Sequence, residues 1–203
     1  MKMDNFLDTS IIIGYAQNEE KFLSFVKDKL ESFIVCYFVL DRDISSLIKR
    51  MKIIINEVKN KLKDKNYEIQ TKDLYKQDII RIQKFLSLKE TQNRSSVEFI
   101  DFLDNFQSIF EFRIEFFIQK LIDKKVMPIK EIDFELKSNL FTYTKNHSDA
   151  NILASGIQHH QENKLILITS DKQDWTKENL EWAIPESSNL RKKYSKIPQI
   201  KYV

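Results

Sequence analysis

Lys164-Leu165-Ile166-Leu167-Ile168-Thr169-Ser170-Asp171-Lys172-Gln173-Asp174-Trp175 is the stretch whose reading decides the fold. Its first six residues make an apolar run of strand length, rich in β-branched side chains, and the polar residues from Ser170 onward stop it. Just upstream, Ala150, Leu153, Ala154 and Ile157 recur at helical spacing, so a helix opening near Ser148-Asp149 feeds this strand, with Ser148 as the expected cap. Working outward, Met3–Leu7 reads as a strand that runs into Asp8-Thr9-Ser10 and then a helix. Phe33–Leu40 is an unbroken apolar run expected to be a strand buried on both faces. A short strand near Ile129, a helix over Asp133–Tyr143 and a last strand over Gln199–Val203 complete the ends of the chain. Strands alternating with helices predict an α/β fold with a mainly parallel central sheet.

The middle of the chain changes period. Leu47, Met51, Ile54, Val58 and Leu62 lie on one helical stripe, and the opposite face carries Lys49, Lys52 and Lys59 among other cations. That face could follow a phosphate backbone, although a basic face is more often simply solvated. Further helices are expected over about Lys72–Leu88 and Ser96–Ile122; the second is so rich in phenylalanine that it is either centrally buried or used at an interface. The whole reads as one domain, 1–203, with an enlarged helical region inserted over about 46–127.

Composition excludes several classes. Two glycines, Gly14 and Gly156, leave no room for a glycine-rich phosphate loop or a dinucleotide fingerprint. His147, His159 and His160 lack the spacing of a zinc peptidase, and the single cysteine, Cys36, forms no intrachain disulfide. A net charge of +3 on 203 residues does not by itself announce a polyanion partner. With no long apolar segment, a cytoplasmic protein without membrane contact is expected.

The carboxylates carry the chemistry. In an open parallel sheet, functional groups collect beyond the carboxyl ends of the strands. Asp8 follows the first strand, and Asp171 follows the strand quoted above by one residue. Spacing alone does not place Asp149 with them. Three acids in one site repel by about 1 kcal/mol per pair at 4 Å even in water, and Mg²⁺ or Mn²⁺ is the usual neutraliser of such an oxygen-rich set. An aspartate after a strand is also commonly just a cap or a turn former, about as often as not for any one of these residues.

Phe6-Leu7-Asp8-Thr9-Ser10, His147-Ser148-Asp149-Ala150-Asn151 and Leu167-Ile168-Thr169-Ser170-Asp171, in this order near the two ends of the domain, resemble the PIN-domain family of nucleases. The resemblance implies a three-layer α/β/α domain and a Mg²⁺- or Mn²⁺-dependent endoribonuclease with RNA as substrate. It matches Asp8, Asp149 and Asp171 to the acidic metal positions and Ser10 to the small polar residue supporting the first acid. Asp174 assists or substitutes for Asp171. The fourth acid is Asp43, less plausibly Asp41, where the family has a glutamate. The likeness also leaves open a toxin-type RNase with an antitoxin or other protein partner, and a homodimer. The alternative is a PIN-like scaffold without catalysis that binds RNA or protein. Cys36 and Trp175 are expected to serve packing, and His147 a surface loop.

Overall fold

A computed structural model of the chain describes all residues except 1–2, 28–32, 71, 73 and 186–187. Residue 73, inside the second of the expected middle helices, therefore lies outside the described residues. The five strands β1 (Asp4–Leu7), β2 (Phe33–Cys36), β3 (Ile122–Val126), β4 (Leu165–Thr169) and β5 (Gln199–Tyr202) form one sheet in the order β3-β2-β1-β4-β5. Every neighbouring pair is parallel. Helices flank the sheet on both faces, giving the three-layer α/β/α architecture.

Parallel strands need crossovers, and the right-handed rule decides where these go. From β1 the chain passes through α1 (Thr9–Ala16) and α2 (Glu20–Lys27) to β2, moving toward one edge. From β3 it returns through α6 (Phe134–Thr144) and α7 (His147–Glu162) to β4 on the other side of β1, and α8 (Lys177–Ala183) and α9 (Asn189–Lys193) lead on to β5. Opposite directions of travel put these two groups of helices on opposite faces. On the first face Phe33 stacks on Phe25 of α2, and on Phe117. On the second, α7 lies close to the sheet at Gly156, where a Cβ would come within 2.7 Å of Leu167 Cδ2 and 3.2 Å of Phe6 Cε1.

The chain separates into two compact units, one of residues 1–44 with 113–203, the other Ser45–Phe112. The first carries the whole sheet. The second holds α3 (Ser45–Lys63), α4 (Lys76–Thr91) and the greater part of α5 (Ser96–Lys120). Its interior has a run of ring contacts along Phe99, Phe102, Phe106 and Phe110, with Phe85 edge-on to Phe106. Asp78, fully buried, receives Arg50 through two bonds of 3.1 and 2.6 Å. Among the described residues, no helix is long and apolar enough to cross a membrane.

Several local expectations are corrected. Only the first half of the apolar run Phe33–Leu40 is strand; from Val39 to Ile44 the chain is a six-residue π-helix. The third strand is Ile122–Val126, which sequence placed partly in a helix and partly in a gap, while Ile129–Glu131 is a single 3-10 turn, not a strand. The reason is that β3 lies at the sheet edge with Asp123, Lys124 and Lys125 exposed. An edge strand needs no apolar signature, and lysines there discourage pairing with other chains. The cap of α7 is Asn146, whose side chain accepts from the Ser148 amide; Ser148 sits inside the first turn.

Candidate functional site

The sheet order fixes the site. β1 and β4 are neighbours, yet the chain leaves them toward opposite edges, so the carboxyl ends of these two strands form the topological switch point of the sheet, the place where ligands bind in open α/β sheets. Asp8 immediately follows β1 and Asp171 follows β4, so both expected strand-end acids arrive at this switch point. Asp149, in the first turn of α7, arrives there as well. Its Oδ1 accepts the Nε1–H of Trp175 at 3.0 Å, and Trp175 belongs to the loop that leaves β4.

Asp8 is 4% exposed, and its Oδ2 accepts from Ser10 Oγ at 2.5 Å and from Thr169 Oγ1 at 2.7 Å. Ser10 in turn accepts the Ser170 amide at 3.2 Å, and Thr169 accepts the Asp171 amide at 2.9 Å. The ends of β1 and β4 are thereby joined through two hydroxyls. Burial pushes the Asp8 carboxyl up, against the lowering effect of the Ser10 and Thr169 hydroxyls.

Asp171 forms the turn that a residue after a strand often forms. Its Oδ1 accepts the amides of Gln173 at 2.7 Å and Asp174 at 3.0 Å. That turn brings Asp174 back beside it: single carboxylate oxygens of Asp149, Asp171 and Asp174 all lie within 4.8 Å of one another. Asp174 is pushed up by burial and by the charge of Asp171. Asp149 is pushed up to about 7, first by burial and then by Asp8, Asp171 and Asp174, while the Trp175 bond works the other way. Its Oδ2 accepts from Asn146 Nδ2.

Asp43 reaches the same region from the π-helix. Its Oδ2 accepts from Thr9 Oγ1 at 2.8 Å and its Oδ1 from Ser148 Oγ at 2.7 Å. Asp41, on the same segment, is exposed. The donor set fits a hard divalent cation. Several carboxylates converge, and among the described residues none of Asp8, Asp43, Asp149, Asp171 and Asp174 is ion-paired to lysine, arginine or histidine.

The candidate RNA-contacting lysines are placed differently. Lys52 and Lys59 pair with Glu111, at 3.4 Å, and with Asp104 across the second unit, and Lys49 is exposed. Sequence reasoning missed Asn146, Thr9, Ser148 and Thr169 as partners of the acids. An Asn immediately before the helix was a readable cap signal. A Thr at the last position of a strand carried none. Trp175 is fully buried, as a packing residue should be, and its N–H also orients Asp149. His147 opens α7 and stacks on Phe141 with ring centroids 4.1 Å apart. No protein-family model, curated protein or solved structure matches this chain.

Proposed function

We propose that the chain is a metal-dependent endonuclease of the PIN type, hydrolysing RNA phosphodiester bonds, with Asp8, Asp149, Asp171 and Asp174 as the residues that hold Mg²⁺ or Mn²⁺. The observation that carries the reading is the meeting of Asp149, Asp171 and Asp174 within 4.8 Å at the switch point of a parallel sheet, beside buried Asp8. The order and spacing of the three aspartate motifs support it independently.

When bound, the ion supplies charge stabilisation to phosphate oxygens and an activated water. The rest falls to the chain. Trp175 and Asn146 hold both oxygens of Asp149, so its orientation is set before any ligand arrives. Ser10 and Thr169 do the same for Asp8 on its Oδ2. Asp171 is fixed by the backbone of its own turn, which keeps Asp174 alongside. Preorganised carboxylates avoid an ordering cost at the moment of binding. Burial makes Asp8, Asp149 and Asp174 poor holders of their own charge without a cation, and neighbouring carboxylates add to this at Asp149 and Asp174, which favours uptake of one.

The test is cleavage of single-stranded and structured RNA with Mg²⁺ or Mn²⁺. Wild type is expected to cut, and Asp8→Asn to be inactive with an unchanged circular dichroism spectrum. Undiminished activity of the variant, or of wild type in excess chelator, refutes the proposal.

A further inference from the structure

Asp43 and Asp174 compete for the fourth acidic position, and their surroundings differ. Asp174 shares the 4.8 Å group with Asp149 and Asp171, whereas Asp43, like Asp8, lies outside it; Asp8 nonetheless acts on Asp149 through its charge. Both oxygens of Asp43 are engaged, and by partners far apart in the chain: Thr9 lies 34 residues before it and Ser148 lies 105 after it. Thr9 adjoins Asp8 and Ser148 adjoins Asp149, each in the first turn of its own helix. A hydroxyl has one proton to donate, and in each residue that proton goes to Asp43. The N-terminal ends of α1 and α7 both favour a negative charge at this point. The segment carrying Asp43 is π-helical, a wide turn that is rare in proteins and concentrated at functional sites.

We infer that Asp43 is a positioning residue, a clamp joining the hydroxyls of Thr9 and Ser148 and thereby fixing the spacing of Asp8 and Asp149, and that Asp174 is the fourth ion ligand. The inference rests on the metal-site reading above. It separates the two roles that a carboxylate at this place could have. A ligand needs its charge, whereas a clamp needs only its two bridges. Asparagine keeps both bridges: its Oδ1 accepts from one hydroxyl, and its Nδ2 donates to the other, which rotates its proton away. Alanine keeps neither.

The experiment is Mn²⁺ binding to the full chain, followed by loss of the free-ion electron paramagnetic resonance signal, for wild type, Asp43→Asn, Asp43→Ala, Asp174→Asn and the pair Thr9→Val with Ser148→Ala. Asp43→Asn is expected to bind within about threefold of wild type. Asp43→Ala, Asp174→Asn and the hydroxyl pair are expected to lose about tenfold or more, the range found when groups orienting metal ligands are removed. Adding Asp43→Ala to the hydroxyl pair should cost nothing further. If Asp43→Ala does not fold, Ser148→Ala alone carries the same expectation of weaker binding. The clamp is overturned if Asp43→Asn falls as far as Asp174→Asn, or if the hydroxyl pair binds like wild type. Absence of Mn²⁺ uptake by wild type would refute the metal site instead. The clamp is then judged by urea midpoints, where fully additive shifts for Thr9→Val and Asp43→Ala overturn it and non-additive shifts uphold it.

Discussion

Replacing Asp149 with asparagine should make the ion-free protein more stable, and by an amount that depends on pH. The Asp149 carboxyl is raised from its ordinary 3.8 to about 7. A raised carboxyl means that the folded state holds its proton more tightly than the unfolded chain, so this group's stability contribution is complete below about pH 4 and is lost as pH rises through about 7. At 1.36 kcal/mol for each tenfold change in proton affinity, the loss amounts to about 4 kcal/mol. Asparagine removes the charge and still accepts the Trp175 N–H. Its amide meets that of Asn146, which must turn over at a cost of about 1 kcal/mol, the worth of an ordinary hydrogen bond. The net expectation at pH 8 is a gain of about 2 to 4 kcal/mol. At pH 5 the unfolded carboxyl is already largely ionised while the folded one keeps its proton, so only about 1 to 2 kcal/mol of that loss has accrued, and against the Asn146 cost the gain should shrink to about 1 kcal/mol or less. The assay is urea denaturation of both proteins in EDTA at the two pH values. Comparing them cancels the other titrating groups, such as Asp8 and Asp43, whose raised carboxyls act in the same direction. Mn²⁺ should then stabilise wild type far more than the variant. A variant no more stable than wild type at pH 8, or a gain of equal size at pH 5, would refute the account of a strained, charge-crowded carboxylate.

Three further outcomes follow from the packing. Gly14→Ala puts a Cβ within 2.0 to 2.5 Å of the Phe22 ring, so the fold should lose about 1 to 3 kcal/mol by overpacking, outweighing the roughly 1 kcal/mol gained in helix propensity; thermal denaturation measures it. Asp78→Ala leaves Arg50 without its buried partner and should cost about 3 to 5 kcal/mol in urea, with amide exchange in α3 and α4 accelerated. His159 is 4% exposed, and its imidazole is pushed down, first by burial and then by Lys124. A lowered histidine binds fewer protons folded than unfolded, so stability falls as pH drops below its ordinary 6.5. His159→Gln should show a smaller loss of melting temperature between pH 7.5 and 5.5 than wild type; an equal loss would clear His159 of that role.

The α/β class was legible because buried strands must be apolar and helices must show a stripe; β4 and α7 satisfy both conditions within the sequence 148–169. Asp8 and Asp171 were legible for a related reason: a strand end followed by an acid is a local pattern, and the sheet carries such ends to a common edge. β3 was not legible, since an edge strand owes nothing to the core on its exposed side and its lysines and aspartate resemble a loop. The π-helix was not legible either, because the apolar run Phe33–Leu40 has the same composition whether it continues as strand or turns at Val39.

By itself, then, the sequence determined which segments must be buried and which acids stand at their ends, both consequences of local patterning along the chain. Only the tertiary structure decided the company each acid keeps. It set Trp175 and Asn146 on Asp149, Thr9 and Ser148 on Asp43, and Asp174 rather than Asp43 beside Asp149 and Asp171. These choices depend on the order of strands in the sheet and the approach of helices separated by more than a hundred residues, and a hydrogen bond of 2.7 Å between such distant partners leaves no periodic trace in the chain that makes it.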